Sequence, residues 1–236
     1  MIGIWFTFRD DAPCLIESAA QFRETFPGMP VALCDEGIKP IPREVVDLIA
    51  PDHYERSDVR RNGNLIGPEA ACMELDFQER MHLRFPGHKG AIKIDCDTLV
   101  FDGGWIDEDA PQCGFFQGPL RFIWGPARYV SAEACSAAFD SILSRPIGVM
   151  RGGNEDQIIG IEISTLFGDR CRIMPALPDT MAYWHYRGGN YPEIMRAPVV
   201  VFGNRMEIGC RSCETREITA KTMAEFRRVR KEVRHG

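Results

Sequence analysis

The sequence predicts an α/β protein, and three observations predict it. The first 37 residues read strand, helix, strand: Ile2 to Phe8 is an apolar run, Leu15, Ala19, Phe22 and Phe26 recur at helical spacing, and Val31-Ala32-Leu33-Cys34 forms a second short run. Gly90 to Ile94 is a further run of strand length, as expected for a strand covered on both faces of a sheet. Helical patterns between these runs stop at Pro27-Gly28 and at Pro86-Gly87. With 236 residues, 44% hydrophobic and 26% charged, the chain can form one large α/β domain or at most two small ones.

The elements follow in order. Asp10 or Asp11 can cap the first helix, and Asp35-Glu36-Gly37 closes the second strand. Pro42 to Ile49 reads as a helix, Asp52 to Arg60 as a short strand or loop, and Asn62-Gly63-Asn64 as a turn. Pro68 to Phe85 reads as one long helix, or two with a break near Asp76. Beyond the run at Gly90 the pattern is less regular, and Gln112 to Trp124, rich in Gly and aromatics, reads as strand and loop. Ser131 opens a helix to about Leu143, and Asn154 opens another that ends near Phe167-Gly168. Cys171 to Met174 reads as a strand and Tyr183 to Tyr186 as a short strand or loop. No internal repeat or low-complexity linker divides the chain, so the expected organisation is a domain over 1–203 and a basic, helical C-terminal appendage over 204–236.

Composition narrows the function classes. A formal net charge of -6 argues against nucleic acid as a partner, and the basic charge is carried mostly by arginine. Nine cysteines is an odd, scattered set that fits a reducing compartment, where buried cysteine acts as a small hydrophobe. Only Cys210-Arg211-Ser212-Cys213 has ligand-like spacing, and it lacks the second pair that a structural zinc site needs. The opening residues lack a basic leader, and no stretch nears the ~20 apolar residues of a membrane span, so a cytoplasmic protein is expected. In the tail, Arg227, Arg228, Arg230, Lys231 and Arg234 crowd one helix with Met223, Phe226 and Val229 at three-residue spacing. That helix either packs on its own domain or touches an anionic membrane surface through 219–234.

Chemistry concentrates at Asp95-Cys96-Asp97, directly after the run Gly90 to Ile94. Ligands in open α/β sheets sit outside the carboxyl ends of the strands. If strand geometry persists through Asp97, its two-residue period sets both carboxylates on one side. Two hard oxygen donors there suit Mg²⁺ or Mn²⁺ bound to a substrate's phosphates, while the bland alternative is a solvated acidic turn. Asn154 and Gln157 have capping-box spacing, which puts Asp156 in the first turn of a helix, where the dipole favours an ionised carboxylate. Such a group suits a base that takes a proton from a hydroxyl, and equally suits plain helix stability.

The order of these motifs, over roughly residues 1 to 190, resembles the GT-A fold of nucleotide-sugar glycosyltransferases. Ile94-Asp95-Cys96-Asp97-Thr98-Leu99-Val100 is similar to the aspartate motif of glycogenin-like transferases, and Asn154-Glu155-Asp156-Gln157 to the Glu-Asp motif of fringe-like and β-galactosyltransferase families. The resemblance implies a Rossmann-related sandwich with a central, mostly parallel sheet flanked by helices. It implies a metal-dependent hexosyltransferase-like enzyme that moves a sugar from a nucleoside-diphosphate donor, a UDP-sugar first among them, to a carbohydrate or lipid-linked acceptor. Asp95, Asp97 and His185 would hold Mn²⁺ or Mg²⁺, and Thr7, Arg9, Asp35, Arg61, Asn64 and Asp95 would contact the nucleotide. Gln117, Trp124 and Glu155 would meet the acceptor, with Asp156 as base in an inverting transfer.

Three alternatives stay open from sequence. A haloacid-dehalogenase-type phosphatase also places Asp-x-Asp after a buried strand, although its motif normally opens the fold and no lysine lies between Asp97 and Glu155. A sugar nucleotidyltransferase would carry a Gly-rich loop after the first strand, whereas Thr7 to Ala12 contains no glycine. A glycosyltransferase-like domain that binds nucleotide or sugar without turnover is the third.

Overall fold

The computed structural model describes residues 1–37, 39–57, 67–116, 123–145, 155–177, 181–183, 194–202 and 213–235. The sheet begins with β1 (Ile2–Thr7), β2 (Val31–Asp35), β3 (His53–Arg56) and β4 (Gly90–Ile94), all parallel, in the order β3-β2-β1-β4. Beyond β4, after the short β5 (Thr98–Val100), come β6 (Gln112–Phe116) and β7 (Ile123–Ser131). Antiparallel β7 lies between β4 and β6, and β8 (Arg172–Pro175) closes that edge parallel to β6. The fold is therefore the mixed α/β architecture expected, with seven strands of which only β7 runs against its neighbours.

Strand period sorts the side chains onto two faces. Val31, Leu33, Trp5, Ile92 and Ile94 pack toward α1 (Ala12–Thr25) and α2 (Arg43–Ile49), in one core that also holds Met223 and Phe226 of α6 (Cys213–His235). Ile2, Ile4, Ala32, Cys34 and Ala91 face the other way, against Phe77 and Met81 of α3 (Pro68–Arg84). α4 (Ala132–Leu143) and α5 (Glu155–Phe167) complete that second layer with Ala71 and Leu75 of α3. Gly90 is required where it stands: a Cβ there would meet the Tyr129 ring at 2.5 Å.

α3 is continuous through Asp76, and α4 starts on the Ser131 cap, whose hydroxyl accepts from the Ala134 amide at 3.1 Å. β5, β9 (Met181–Tyr183) and β10 (Val199–Val201) make a separate three-stranded sheet. α6 begins earlier than the spacing suggests and lies along α1. Arg227 pairs with Glu17 at 2.5 Å and Glu24 at 2.7 Å, and Lys231 with Glu24 at 2.8 Å. Arg228 pairs within its own helix with Glu225 and Glu232, and Arg230 is buried, 3.9 Å over the Phe101 ring. Arg227, Arg228, Arg230 and Lys231 are thus engaged by the chain's own groups. Among the described residues no helix is long and apolar enough to cross a membrane, and the seven described cysteines are free thiols.

Candidate active site

The chain leaves β1 toward β2 and β3 on one side, then returns to β4 on the other side of β1. The carboxyl ends of β1 and β4 are therefore the switch point where open α/β sheets form their crevice. A cavity of about 180 Å³ opens there among the described residues. Its walls are the residues just beyond β1 (Phe8, Asp11), β2 (Glu36) and β4 (Asp95, Cys96, Asp97), with Met73 and Glu74 of α3, Glu155 and Asp156 of α5, and Arg216 of α6. Phe6 and Lys93 complete it, so seven carboxylates face two cationic side chains.

The Asp-x-Asp carboxylates converge for a different reason than strand period. β4 ends at Ile94, and the backbone turns between Asp95 and Thr98, closed by the Thr98 amide on the Asp95 carbonyl at 3.0 Å. The turn aims both carboxylates into the cavity while Cys96 between them is buried. Each aspartate meets one cation. Lys93 Nζ donates to Asp95 Oδ1 at 2.6 Å, and Arg216 donates to Asp97 Oδ2 at 2.9 Å. Arg216 also lies 3.0 Å from Asp11 Oδ1.

Beneath this rim runs a buried charge network. Lys93 and Arg128 are direct cross-strand neighbours on β4 and β7, an arrangement of like charges that is destabilising by itself. Carboxylates from two helices resolve it. Lys93 lies 3.3 Å from Asp156 Oδ1, Arg128 lies 3.2 Å from the same oxygen, and Arg128 donates to Glu74. Burial alone would lower the Lys93 ammonium, but Asp156, Asp95 and Glu74 together raise it. Burial likewise opposes the Arg128 charge, which Glu74 and Asp156 restore and raise. Burial raises Asp95 to about 6 against the pull of Lys93, with Asp156 and Asp97 adding to the rise. Its side chain is nevertheless 40% exposed, deep in the molecule yet open to the cavity.

Of the residues singled out in sequence, Asp95, Asp97, Glu155 and Asp156 come together here. Thr7 and Asp35 do not line the cavity. Thr7 is fully buried, and Asp35 organises its own loop by accepting from the Gly37 amide at 3.0 Å, the Ile41 amide at 2.9 Å and the Tyr54 hydroxyl at 3.0 Å. Arg61, Asn64, Gln117, Asn154, His185 and Cys210 lie outside the described residues, as do the side chains of Arg9, Trp124 and Cys213. The spacing alone gave no sign that Asp11, Glu36, Glu74, Lys93 or Arg216 belongs to the site. Lys93 carried a signal in hindsight, as the one charge inside a buried run.

A divalent cation can be tested against this donor set. Among the described residues no three His, Cys, Asp or Glu side chains converge as a closed metal cage. A cation carried on a diphosphate does not need one, because Mg²⁺ typically takes one or two carboxylates and completes its shell with phosphate and water. Asp95 Oδ2 and Asp97 Oδ1 receive no hydrogen bond among the described residues, while Lys93 and Arg216 hold the other oxygen of each. Hard oxygen donors in a cavity with excess negative charge fit such a cation.

Comparison with solved structures gives the fold an independent reference. The chain is similar to the crystal structure of a glycosyltransferase involved in the glycosylation of the major capsid of PBCV-1, with a TM-score of 0.56 and 12% sequence identity. The match covers 94% of this chain and 100% of that one. No protein-family model matches the chain, and neither does any curated protein. At this identity the likeness establishes a glycosyltransferase-like fold.

Proposed function

We propose that this protein transfers a sugar from a nucleoside-diphosphate sugar to an acceptor hydroxyl. The observation that carries the reading is the carboxylate-lined cavity at the switch point of a glycosyltransferase-like fold, where Asp95, Asp97, Glu155 and Asp156 converge. Asp95 and Asp97 would hold Mn²⁺ or Mg²⁺ carried on the donor, and a cation held there would supply positive charge to the departing diphosphate. Phe6, Phe8 and Met73 give the cavity an apolar wall for the uncharged parts of the donor. UDP-sugars come first as candidates from the motif resemblance, and a carbohydrate or lipid-linked hydroxyl is the acceptor class.

Asp156 is assigned the acceptor's proton in an inverting transfer. Its place in the first turn of α5 and its two cationic neighbours fix the carboxylate in orientation. Asp156 would accept the proton as the acceptor oxygen attacks. Glu155, also on the cavity, is the control. Once a donor is found by screening UDP-, GDP-, CMP- and TDP-sugars with Mn²⁺, NMR of the product reports the anomeric configuration. Asp156→Asn should lower turnover by ~10²–10⁴-fold with donor affinity nearly unchanged, and Glu155→Gln should lower it far less. Retained configuration, or a near-normal rate in Asp156→Asn, removes Asp156 from the mechanism.

A further inference from the structure

Arg216 reaches the cavity from the far end of the chain, 119 residues beyond the aspartate it meets. Its guanidinium stands between Asp11 at 3.0 Å and Asp97 at 2.9 Å, and its side chain is 14% exposed. A guanidinium on one oxygen of Asp97 and a divalent cation on the other would repel across a single carboxylate. The helix cannot relieve that repulsion by moving away, because Met223 and Phe226 are buried in the core and Arg227 is tied to Glu17 and Glu24. The side chain can, since it lines the cavity on a flexible stem. A guanidinium fork matches the oxygens of a phosphate in geometry and charge.

We propose that Arg216 is a diphosphate-binding residue with two partners. Without donor it rests on Asp97 and Asp11. When cation and donor enter together, Asp97 would hold the cation and the guanidinium turns to a phosphate oxygen. Arg216 thereby offsets the charge of the second aspartate until a phosphate arrives, and it makes the C-terminal helix part of the donor site. The inference rests on the nucleotide-sugar reading above and deepens it.

Two effects of opposite sign test it, both measured by calorimetry without turnover. Arg216→Gln should bind Mn²⁺ alone more tightly, by about 3–10-fold, because a competing charge is gone. The same variant at saturating Mn²⁺ should bind UDP, GDP, TDP or ADP more weakly, by about 10–100-fold, because a charge-assisted hydrogen bond is lost. Arg216→Lys keeps the charge and loses the fork, so Mn²⁺ affinity should hold while diphosphate affinity falls; this variant decides the matter if the glutamine fails to fold. Arg228→Gln removes an exposed charge of the same helix that pairs only within it, and should leave both affinities unchanged. Unchanged diphosphate affinity in Arg216→Gln beside a wild type that binds, no gain in Mn²⁺ affinity, or the same pattern in Arg228→Gln overturns the proposal and leaves the transferase reading standing. A wild type that binds none of the four diphosphates with Mn²⁺ overturns that reading and the inference together.

Discussion

A single ionisable side chain can set how this fold meets acid. His82, in the last turn of α3, has both ring nitrogens buried with no hydrogen-bond partner among the described residues. Burial, with the Met1 amino group adding to it, lowers its pKa from 6.5 to about 4. The unfolded chain takes up a proton near the ordinary value that the folded chain refuses until the lowered one. His82 therefore costs nothing above about pH 6.5, and it erodes stability as pH falls from there toward about 4. Asp95 has its pKa raised to about 6 and acts with the opposite sign, since its folded form gains stability on protonation over an overlapping window. The difference between wild type and His82→Leu isolates the histidine. Urea unfolding at about pH 7 and about pH 4.5 should show the variant gaining roughly 2 kcal/mol relative to wild type on acidification. An equal response of the two proteins would mean that His82 is solvated.

Among the elements, α6 shows where local pattern and tertiary packing part company. Met223 and Phe226 at three-residue spacing mark its apolar stripe, but sequence leaves open whether that stripe meets protein or membrane. Phe226 packs against the rings of Phe101 at 5.7 Å and Phe202 at 5.5 Å and is 3% exposed. Truncating such a side chain typically costs about 3–5 kcal/mol. Phe226→Ala should lower the urea midpoint accordingly, and a loss under about 1 kcal/mol would show that the helix contributes little to the fold. Elements with their own start and stop signals, such as α1, α3, α4 and α5, were legible from spacing and terminal residues, although Asp11 precedes α1 without a side-chain cap bond and only Ser131 of α4 makes one among the described residues. β5 and β10 were not, because three residues carry too little periodicity and each strand exists through pairing across the chain, Val199 with Val100 and Val201 with Thr98. β7 escaped for a related reason: Gly125, Pro126 and Arg128 break the alternation of an ordinary strand, and Arg128 is tolerated in mid-sheet only because Glu74 and Asp156 reach it.

For the whole molecule, the same division holds at the site. Asp95, Asp97, Glu155 and Asp156 were legible because strand ends and helix starts are local features. Their cationic partners were not, since Lys93 reads as a strand residue and Arg216 as one of many in a basic tail; topology alone brings them together. The result is an acidic cavity in a protein of net charge -6, and that field opposes a naked diphosphate. Nucleotide binding should therefore depend on a divalent cation, with Asp97 as the ligand whose loss is felt most. Asp97 lines the cavity, and its replacement by Ala should leave the chain folded while releasing Arg216 to Asp11 alone. A ligand present at a hundred times its dissociation constant adds ~2.7 kcal/mol to the native state. For a chain of this length that corresponds to a rise of roughly 5–10 °C in melting temperature. Wild type should show this rise with a nucleoside diphosphate plus Mn²⁺ and lose it in EDTA, and Asp97→Ala should show none in either. A rise that survives EDTA, or an Asp97→Ala protein that responds like wild type, would remove the cation and its aspartate from donor binding.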